Sequence, residues 1–304
     1  MKAMILSAGE GTRLRPLTDI CPKVLVPVVN RPVIARIAEY LIGHGVEEII
    51  VNTHFHHQKI INYLKKGDPP GVRIEHRVEK EILGTGGGLK NTQDFWGANP
   101  FIVINGDILT DIDLKQVHKD HLEKSNLATM VLHDVPMYNK IKIDSEMNVL
   151  SIGPGTHIEG SLAFTGIHII NPEVLDFIPE NKNYDIIQCY KELIDRGKPI
   201  RGYVATGHKW VDIGTIPDYM MANVRLLPPD KIAIADGCTI HPDASVEEWA
   251  VIGKRTSIAR DALVKRSIIW SDAVLEEGVR VVDSIVTTDV VVKEDLFGGV
   301  ALSK

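Results

Sequence analysis

The first stretch of the chain that is suited to chemistry is LSAGEGTRLRPLTDICPK, which follows a short apolar run near the N-terminus. It holds two glycines, Gly9 and Gly11, and its cations include Arg13 and Lys23. Glycine permits positive φ angles and a close approach of the backbone to a ligand. The backbone amides of this loop could therefore cradle phosphate oxygens, with cations beside them. The residue types predict an anion site, and small phosphates are its natural ligands.

Two familiar phosphate motifs do not fit this loop. GEGTRL has only the first two glycines of the dinucleotide fingerprint, because Leu14 stands at the third glycine position. The P-loop pattern, G-x-x-x-x-G-K followed by Ser or Thr, does not follow either. The stretch is therefore another class of phosphate loop, or a glycine turn followed by solvated cations.

The elements that must position this loop alternate along the chain. Short apolar runs rich in branched residues, such as AMILS, EEIIVNT, FIVING and LATMVLH, alternate with longer amphipathic segments such as PVIARIAEYLIGHG. This alternation indicates βαβ units. Residues 1–135 are predicted to form a Rossmann-like, open, mostly parallel α/β sheet with a ligand site beyond the carboxyl ends of its strands. Residues 139–215 should shape the second side of the cleft.

The chain changes character at the PPD of residues 228–230. Beyond it, apolar residues recur at every sixth position with one slip of three, which is the spacing of hexapeptide repeats. The repeated positions are Ile240, Val246, Ile252, Ile258, Val264 and Trp270, then Ala273, Val279, Ile285, Val291 and Phe297. The spacing predicts a short left-handed parallel β-helix, with a meander of antiparallel strands as the alternative. We therefore divide the chain into an α/β domain of residues 1–227 and a β-helix domain of residues 228–304.

The composition excludes several classes of partner. The 304 residues carry a formal net charge of −6 with acidic and basic residues interspersed, which is unlike the basic stripe of a nucleic-acid-binding protein. No stretch reaches the roughly 18 apolar residues of a membrane span, and the N-terminus lacks a signal-peptide pattern. The three cysteines are far apart and fit reduced thiols. We expect a cytoplasmic protein without nucleic-acid or membrane partners, and a homo-oligomer formed through the exposed ends of the β-helix.

The opening loop closely resembles the signature of the sugar-1-phosphate nucleotidyltransferases, which is G-x-G-T-R-x-x-P-x-T followed by P-K. Four further segments resemble family motifs in the same order, namely EILGTGGGLKN, VINGDIL, FTGIHIINPEVL and WVDIGTIPDY. Together with the hexapeptide tail, the resemblance covers nearly the whole chain. The arrangement of the chain looks most like that of mannose-1-phosphate guanylyltransferases. It implies transfer of a nucleotidyl group from a nucleoside triphosphate (NTP) to a sugar 1-phosphate, with release of pyrophosphate. Residues 1–227 would be the catalytic domain.

The resemblance implies roles for two cations and two carboxylates. Such a transfer depends on positioning and charge neutralisation, and it needs no enzyme nucleophile. Arg13 would contact the β- and γ-phosphates, and Lys23 the α-phosphate and the attacking sugar phosphate. Asp107, which follows an apolar strand, and Asp212, carried toward the same cleft, would hold Mg²⁺ with substrate phosphates completing its octahedron. The loop residues that would bind the nucleotide are Ala8, Gly9, Gly11 and Thr12.

The nucleobase is expected at the LGTGGG segment, where Gly84 and Thr85 would bind the nucleotide and glycines let a flat ring lie against the backbone. Glu79 stands where some relatives place a glutamine for uracil or thymine and others a glutamate. Its carboxylate could accept two N–H groups of guanine, or the single N3–H of uracil or thymine. The base therefore stays open, and a solvated glutamate in the charged run RVEKE is the alternative.

The sugar site is expected at Gly106, Thr165 and Gly166, which match positions that contact the hexose in relatives. Many relatives carry Glu-Lys-Pro shortly before that last glycine, and its lysine binds the sugar phosphate. Gly153 and Pro154 stand there instead. Some uridylyltransferases of amino-sugar phosphates, such as N-acetylmuramic acid 1-phosphate, also lack the motif. The hexose therefore stays open as well.

The run NTHFHH invites a zinc site at His54, His56 and His57. These residues would end a strand and begin a helix, so they would point in different directions, and a fourth ligand is lacking. Asn52 and His54 are expected on the rim of the cleft instead.

Three other functions compete with nucleotidyl transfer to a sugar. A non-catalytic subunit of the same fold would be expected to lose the phosphate cations or the metal carboxylates, yet all four residues are present. An acyltransferase working through the β-helix needs a histidine between coils, and only His241 lies in the repeats. Cytidylyl transfer to a phosphorylated alcohol such as phosphocholine is a further alternative, but those relatives usually lack the repeat tail.

Overall fold

The computed structural model describes residues 1–67, 69–153 and 159–303. Pro154, one of the two residues that replace Glu-Lys-Pro, lies outside them. The chain forms two compact units, unit 1 with residues Met1–Glu10 and Ile34–Val211, and unit 2 with residues Gly11–Val33 and Asp212–Lys304. The domain boundary after residue 227 stays a prediction.

The first thirteen strands precede the repeat region. In chain order they are β1 (Lys2–Leu6), β2 (Pro27–Val28), β3 (Arg31–Pro32), β4 (Glu48–Thr53), β5 (Arg73–Val78), β6 (Phe101–Asn105), β7 (Ile108–Thr110), β8 (Ala128–His133), β9 (Ile141–Ile143), β10 (Val149–Ile152), β11 (Ala163–Ile170), β12 (Ile200–Val204) and β13 (Trp210–Asp212). The repeat region adds β14 (Ile232–Ile234), β15 (Thr239–Ile240), β16 (Ser245–Ile252), β17 (Ser257–Ile258), β18 (Leu263–Ile269), β19 (Val274–Leu275), β20 (Arg280–Val282), β21 (Ile285–Val286), β22 (Val291–Val292), β23 (Leu296–Phe297) and β24 (Val300–Ala301).

The helices lie within the first three quarters of the chain, before the repeat region. They are α1 (Leu17–Ile20), α2 (Val33–Gly43), α3 (His57–Leu64), α4 (Gly84–Lys90), α5 (Leu114–Glu123), α6 (Ile186–Asp195) and α7 (Ile216–Leu226). Within the described ranges, none of these helices combines the length and the apolar character that crossing a bilayer requires.

Unit 1 is built on a seven-stranded sheet in the order β12-β8-β11-β6-β1-β4-β5. β11 runs antiparallel to both of its neighbours, and every other pair for which a register is given is parallel. The carboxyl ends of β1, β4, β5 and β6 therefore lie at one edge of the sheet. This arrangement confirms the predicted open, mixed α/β sheet. It also shows that β11 and β12, expected on the second side of the cleft, belong to the main sheet.

The central strands of this sheet are apolar on both faces, which is the pattern of strands that are buried on both sides. Ala3, Met4 and Ile5 of β1 are fully buried, and so are the middle residues of β4 and β6. These runs leave polar groups only where each strand ends. Candidate site residues therefore gather at the strand ends rather than within the sheet.

Unit 2 contains the β-helix, whose strands pair in parallel from coil to coil. One face has the order β14-β16-β18-β20-β23, and a second face has the order β15-β17-β19-β22. Small and branched side chains, including Ala250, Val264 and Leu275, pack in the interior. The parallel pairing agrees with the predicted β-helix and excludes the antiparallel meander.

The phase of the repeat differs from the prediction in the last coils. Ile258 pairs with Leu275, and Leu275 pairs with Val292, a spacing one residue shorter than three hexapeptides. With this spacing, Ala273 leads to Val290 rather than to Val291. Val290 is 9% exposed and Val292 is 6% exposed, whereas Val291 is 49% exposed. The predicted phase is therefore wrong at Val291 and at Phe297, which is 57% exposed.

Candidate active site

The carboxyl edge of the unit 1 sheet carries several of the predicted residues. β1 leads into Ala8 and Gly9, and β6 leads into Gly106 and Asp107. The N–H of Gly106 donates to the carbonyl oxygen of Leu6 over 2.8 Å, which ties the two strand ends together. Ala8 is buried, but Gly9 is exposed, and a Cβ placed on Gly9 would meet no heavy atom of the described residues within 4 Å. The backbone of Gly9 therefore borders open space.

A buried hydrogen-bond network joins this loop to two further strand ends. The N–H of Ser7 donates to Oδ1 of Asn52 over 2.8 Å, and Nδ2 of Asn52 donates to Oε1 of Glu79 over 2.7 Å. Oε2 of Glu79 accepts the N–H of Leu83 over 3.0 Å. Asn52 and Glu79 are each 2% exposed. The expectation of Asn52 on a solvated rim is therefore wrong, and so is the alternative of Glu79 as a solvated side chain.

The histidines that follow β4 are engaged with the backbone. Nδ1 of His54 lies 2.9 Å from the carbonyl oxygen of Glu79, and Nδ1 of His57 lies 3.2 Å from the carbonyl oxygen of His54. His56 adopts a left-handed conformation with φ of 51° just before α3. The three residues thus shape the turn between β4 and α3.

The glycines of α4 pack against the chain that precedes α6. The carbonyl oxygen of Tyr184 accepts the N–H groups of Gly86 over 2.8 Å and Gly87 over 3.1 Å. A Cβ on Gly84 would lie 2.8 Å from the same oxygen, and a Cβ on Gly87 would lie 2.3 Å from the carbonyl oxygen of Lys182. Packing of backbone on backbone thus already requires glycine at these positions. The nucleobase contact expected at this segment stays a prediction.

Thr85 and Gly88 also have partners inside unit 1. Oγ1 of Thr85 donates to Oδ1 of Asp185 over 2.9 Å and accepts the N–H of Ile186 over 2.9 Å. A Cβ on Gly88 would lie 2.8 Å from Nδ2 of Asn52 and 2.9 Å from Oε1 of Glu79. The α4 helix therefore packs directly on the Asn52–Glu79 hydrogen bond, and the hydroxyl of Thr85 anchors the start of α6.

The two residues of β11 that are predicted to bind the sugar differ in the groups that they could present to a ligand. Thr165 is fully buried, its hydroxyl donates to the carbonyl oxygen of Val131 over 2.9 Å, and its own carbonyl accepts Nε1–H of Trp210 over 2.9 Å. Gly166 has φ of 80° and lies where the pairing of β11 with β8 is irregular. A Cβ on Gly166 would lie 2.8 Å from Nδ2 of Asn105. Thr165 thus fixes the strand, and a ligand contact at this point would come from the backbone beside Gly166.

A histidine pair that the sequence did not single out lies next to Trp210. Nδ1 of His133 and Nε2 of His208 are 3.3 Å apart, and the rings of His133 and Trp210 are 4.7 Å apart between centroids. Burial and, to a smaller extent, the neighbouring His208 lower the pKa of His133 to about 4, so His133 is neutral near pH 7. Burial also lowers the pKa of His208.

Unit 2 carries the rest of the predicted phosphate loop. Gly11 has φ of 67°, and a Cβ there would lie 2.8 Å from Cγ2 of Thr18 and 3.3 Å from Cβ of Lys23. Oγ1 of Thr18 donates to the carbonyl oxygen of Gly11 over 2.9 Å. Glycine therefore lets the turn pack tightly against the segment that bears Lys23. Thr12 and Arg13, which follow the turn, are exposed.

Arg13 and Asp212 come together over Gly214 in unit 2. A Cβ on Gly214 would lie 3.1 Å from Nη1 of Arg13 and 3.3 Å from Oδ2 of Asp212. The buried Gly214 thus leaves the room in which the guanidinium lies. Thr215 then caps α7 through a capping box with Asp218. Gly214 was not among the predicted site residues, although its place directly after WVDI was a usable signal.

The chain is similar along most of its length to characterised proteins. It is 33% identical to the UTP–glucose-1-phosphate uridylyltransferase of Synechocystis sp., over 94% of this chain and 87% of that protein. It is 31% identical to the mannose-1-phosphate guanyltransferase of Saccharomyces cerevisiae, over 82% of this chain and 72% of that protein. The crystal structure of HddC from Yersinia pseudotuberculosis matches with a TM-score of 0.65 and 28% identity, over 74% of this chain and 98% of that one.

A family model described as nucleotidyl transferase matches residues 2–228. The matched region contains the glycine loop, both predicted cations and both predicted carboxylates. Its extent, together with the relatives named above, confirms the resemblance inferred from the motifs. The chain belongs to the nucleotidyl transferase family, and its relatives include enzymes named as sugar-1-phosphate nucleotidyltransferases.

Proposed function

We propose that this chain is a cytoplasmic enzyme that transfers a nucleotidyl group from an NTP to a sugar 1-phosphate and releases pyrophosphate. The observation that supports this most directly is the arrangement of Arg13 and Asp212 over Gly214. It puts a cation suited to phosphate oxygens beside a carboxylate suited to a metal ion. Family membership supports the same reaction class.

The reaction forms a bond between a phosphate oxygen of the sugar 1-phosphate and the α-phosphorus of the NTP. The bond from the α-phosphorus to the bridging oxygen breaks, and pyrophosphate carries away its electron pair. Arg13 would neutralise charge on the departing phosphates, and Lys23 would do so on the α-phosphate and the attacking group. The open space beside Gly9 suits a phosphate that approaches the backbone amides of the loop.

We propose Asp107 and Asp212 as the residues that hold Mg²⁺. Both are partly buried carboxylates, and Mg²⁺ is usually bound by one or two carboxylates with substrate phosphates and water completing its coordination. The described residues contain no group of three or more His, Cys, Asp or Glu suited to a metal ion. The two carboxylates of Asp107 and Asp212 suit a Mg²⁺ ion that reaches the site together with the triphosphate of the NTP. When bound, the ion would neutralise phosphate charge during the transfer.

GTP and mannose 1-phosphate are the first substrate pair that we propose, following the relatives named as mannose-1-phosphate guanylyltransferases. Uridylyl or thymidylyl transfer to a hexose or amino-sugar 1-phosphate, including N-acetylmuramic acid 1-phosphate, is the second. It is favoured by the uridylyltransferase relative, which aligns over most of both chains. Each carboxylate oxygen of Glu79 already accepts one protein donor and keeps further acceptor capacity, so Glu79 could serve either base.

We also propose that the chain forms a homo-oligomer through its β-helix. β22, β23 and β24 belong to the last coil, where Val291 and Phe297 are exposed. A second copy could cover these apolar groups together with the strand edges. Light scattering on Val291→Lys and Phe297→Glu should then show a smaller species than the parent protein, and an unchanged mass would contradict this contact.

The decisive experiment is a matrix of GTP, UTP, dTTP, ATP and CTP against several sugar 1-phosphates, with Mg²⁺ present and released pyrophosphate measured. A single productive pair should emerge. Lys23→Ala should lower its turnover by about 10²–10³-fold and leave a measurable residual activity, and Asp107→Asn or removal of Mg²⁺ with EDTA should abolish it. Thermal unfolding of both variants checks that they remain folded. Silence across the matrix, with no nucleotide binding by calorimetry, would overturn the proposal in favour of a non-catalytic member of the family.

A further inference from the structure

We propose that the β-helix holds the segment that bears Lys23, and that Tyr219 and Trp270 are positioning residues for nucleotidyl transfer. The inference rests on the proposed function for its kinetic consequence. All the contacts on which the proposal depends lie within unit 2. It assigns the repeat tail a role in the reaction besides assembly.

Lys23 is joined by backbone hydrogen bonds to the short hairpin of β2 and β3. The carbonyl oxygen of Lys23 accepts the N–H of Val26, and the carbonyl oxygen of Val26 accepts the N–H of Val33, each over 3.2 Å. Pro27 pairs with Pro32 between these points, in the hairpin itself. A displacement of the hairpin would therefore be passed to the backbone of Lys23.

The turn of this hairpin needs support from outside. Val29 and Asn30 adopt positive φ angles of 46° and 61°, and a β-branched residue is strained in that region. The N–H of Val29 donates to Oδ1 of the buried Asn223 in α7 over 2.8 Å. Nδ2 of Asn30 donates to the carbonyl oxygen of Ile252 in the β-helix over 2.9 Å. The turn is thus held by α7 and by the repeat tail.

A second line of contacts runs from the β-helix through a buried tyrosine. The hydroxyl of Tyr219 donates to the carbonyl oxygen of Pro27 over 2.7 Å and accepts Nε1–H of Trp270 over 2.9 Å. Tyr219 is fully buried, and Trp270 is 5% exposed. A buried hydroxyl with one donor and one acceptor partner has its orientation fixed. Trp270 therefore determines where Tyr219 holds the start of the hairpin.

The kinetic test uses Tyr219→Phe, which removes the hydroxyl and keeps the ring. We expect kcat to fall about tenfold, because a small misplacement of a reacting-site cation is costly, and the KM of the sugar 1-phosphate to change less. In a Lys23→Ala background the same substitution should cause no further loss, since the group that it positions is gone. Losses that multiply in the double variant would overturn the positioning role.

A second readout does not depend on catalysis. Amide hydrogen exchange over residues 24–33 should accelerate in Tyr219→Phe and in Trp270→Phe. The matched control is Tyr190→Phe, which removes a buried hydroxyl that contacts His168 in unit 1 and should leave this exchange unchanged. Unchanged exchange in both unit 2 variants would overturn the anchoring. If no substrate pair is turned over, the proposed function fails and the exchange result alone decides whether the β-helix holds the hairpin.

Discussion

Asn52 donates from Nδ2 to Oε1 of Glu79 over 2.7 Å, and both side chains are buried. Oδ1 of the same amide accepts the N–H of Ser7, so Asn52 is used at both ends. Because Ser7 directly precedes the predicted phosphate loop, the carboxylate of Glu79 supports that loop through one intervening side chain. The residue singled out as a reader of the nucleobase is thus also part of the framework of unit 1.

Replacing Glu79 should reveal this framework role. Two donors, Nδ2 of Asn52 and the N–H of Leu83, are aimed at its carboxylate, and a glutamine offers only one oxygen. We expect Glu79→Gln to lower the free energy of unfolding by about 1–3 kcal/mol, the usual cost of a buried donor left without an acceptor. Chemical denaturation measures it. Glu75→Gln in β5, the strand that Glu79 directly follows, alters a partly exposed side chain, serves as control and should change little. Equal stability of the two variants would contradict the network.

Alanine substitutions of the two glycines of the opening loop should have different effects. A Cβ on Gly9 meets open space, whereas Gly11 has positive φ and close neighbours. Gly9→Ala should leave the melting temperature unchanged but weaken NTP binding about tenfold, if phosphate approaches this backbone. Gly11→Ala should lose about 1–2 kcal/mol of stability from its left-handed conformation alone. Calorimetric titration and thermal melts separate these effects, and unimpaired nucleotide binding by Gly9→Ala would contradict the predicted phosphate position.

Gly214 should control the placement of Arg13. An alanine Cβ would stand 3.1 Å from Nη1 of Arg13, so the exposed guanidinium would have to shift by a few tenths of an ångström. We expect Gly214→Ala to lower kcat/KM about tenfold while the protein remains folded. Gly43→Ala in α2, where a Cβ meets no described atom within 4 Å, is the matched control. Full activity of Gly214→Ala would show that the position of Arg13 over this glycine is not needed.

Acid should destabilise the protein through His133. Its pKa is about 4 in the folded protein, against 6.5 for the ordinary side chain, because burial disfavours the charged ring. Between these values the unfolded chain binds a proton that the folded chain does not, so stability falls as the pH falls from 6.5 toward 4. Melting temperatures between about pH 7 and about pH 4.5 should show this loss, and His133→Gln should reduce it. His57→Gln, at an exposed position, is the control and should leave this loss of stability unchanged. A pH profile of His133→Gln that parallels that of the parent protein would contradict the attribution of the loss to His133.

Much of the framework was predictable because local patterns determine it. The apolar runs that became β1, β4 and β6 end where polar residues begin, and this placed Gly9 and Asp107 at one sheet edge. The six-residue period likewise indicated parallel coils, although it could not reveal that the coils from Ile258 to Leu275 and from Leu275 to Val292 are each one residue shorter than three hexapeptides. The loss of one residue from a coil does not alter the types of the repeated residues, so it is recognised only from the pairing of strands between coils.

Long-range packing could not be predicted from the sequence. The glycines of α4 suggested a ligand, yet the carbonyl oxygen of Tyr184 occupies the space beside them, and no local pattern announces that contact. The partnership of Asn52 with Glu79 links residues that are 27 positions apart through one pair of atoms. The grouping of residues 11–33 with the repeat tail is equally non-local. Each of these features follows from tertiary contacts between segments whose own patterns are ordinary.

The hairpin that follows Lys23 has consequences for how the protein is made. Asn223 lies 194 residues after Val29, and Tyr219 lies 192 residues after Pro27, so the hairpin leaves the ribosome long before its partners exist. Chains fold during synthesis from the N-terminal side, and contacts of high sequence separation form late. A chain interrupted before residue 219 could already pair β1 with β4 and β6, yet its hairpin would lack the hydrogen bonds to Tyr219, Asn223 and Ile252. The support of the hairpin beside Lys23 would then be acquired only after the repeats have been made.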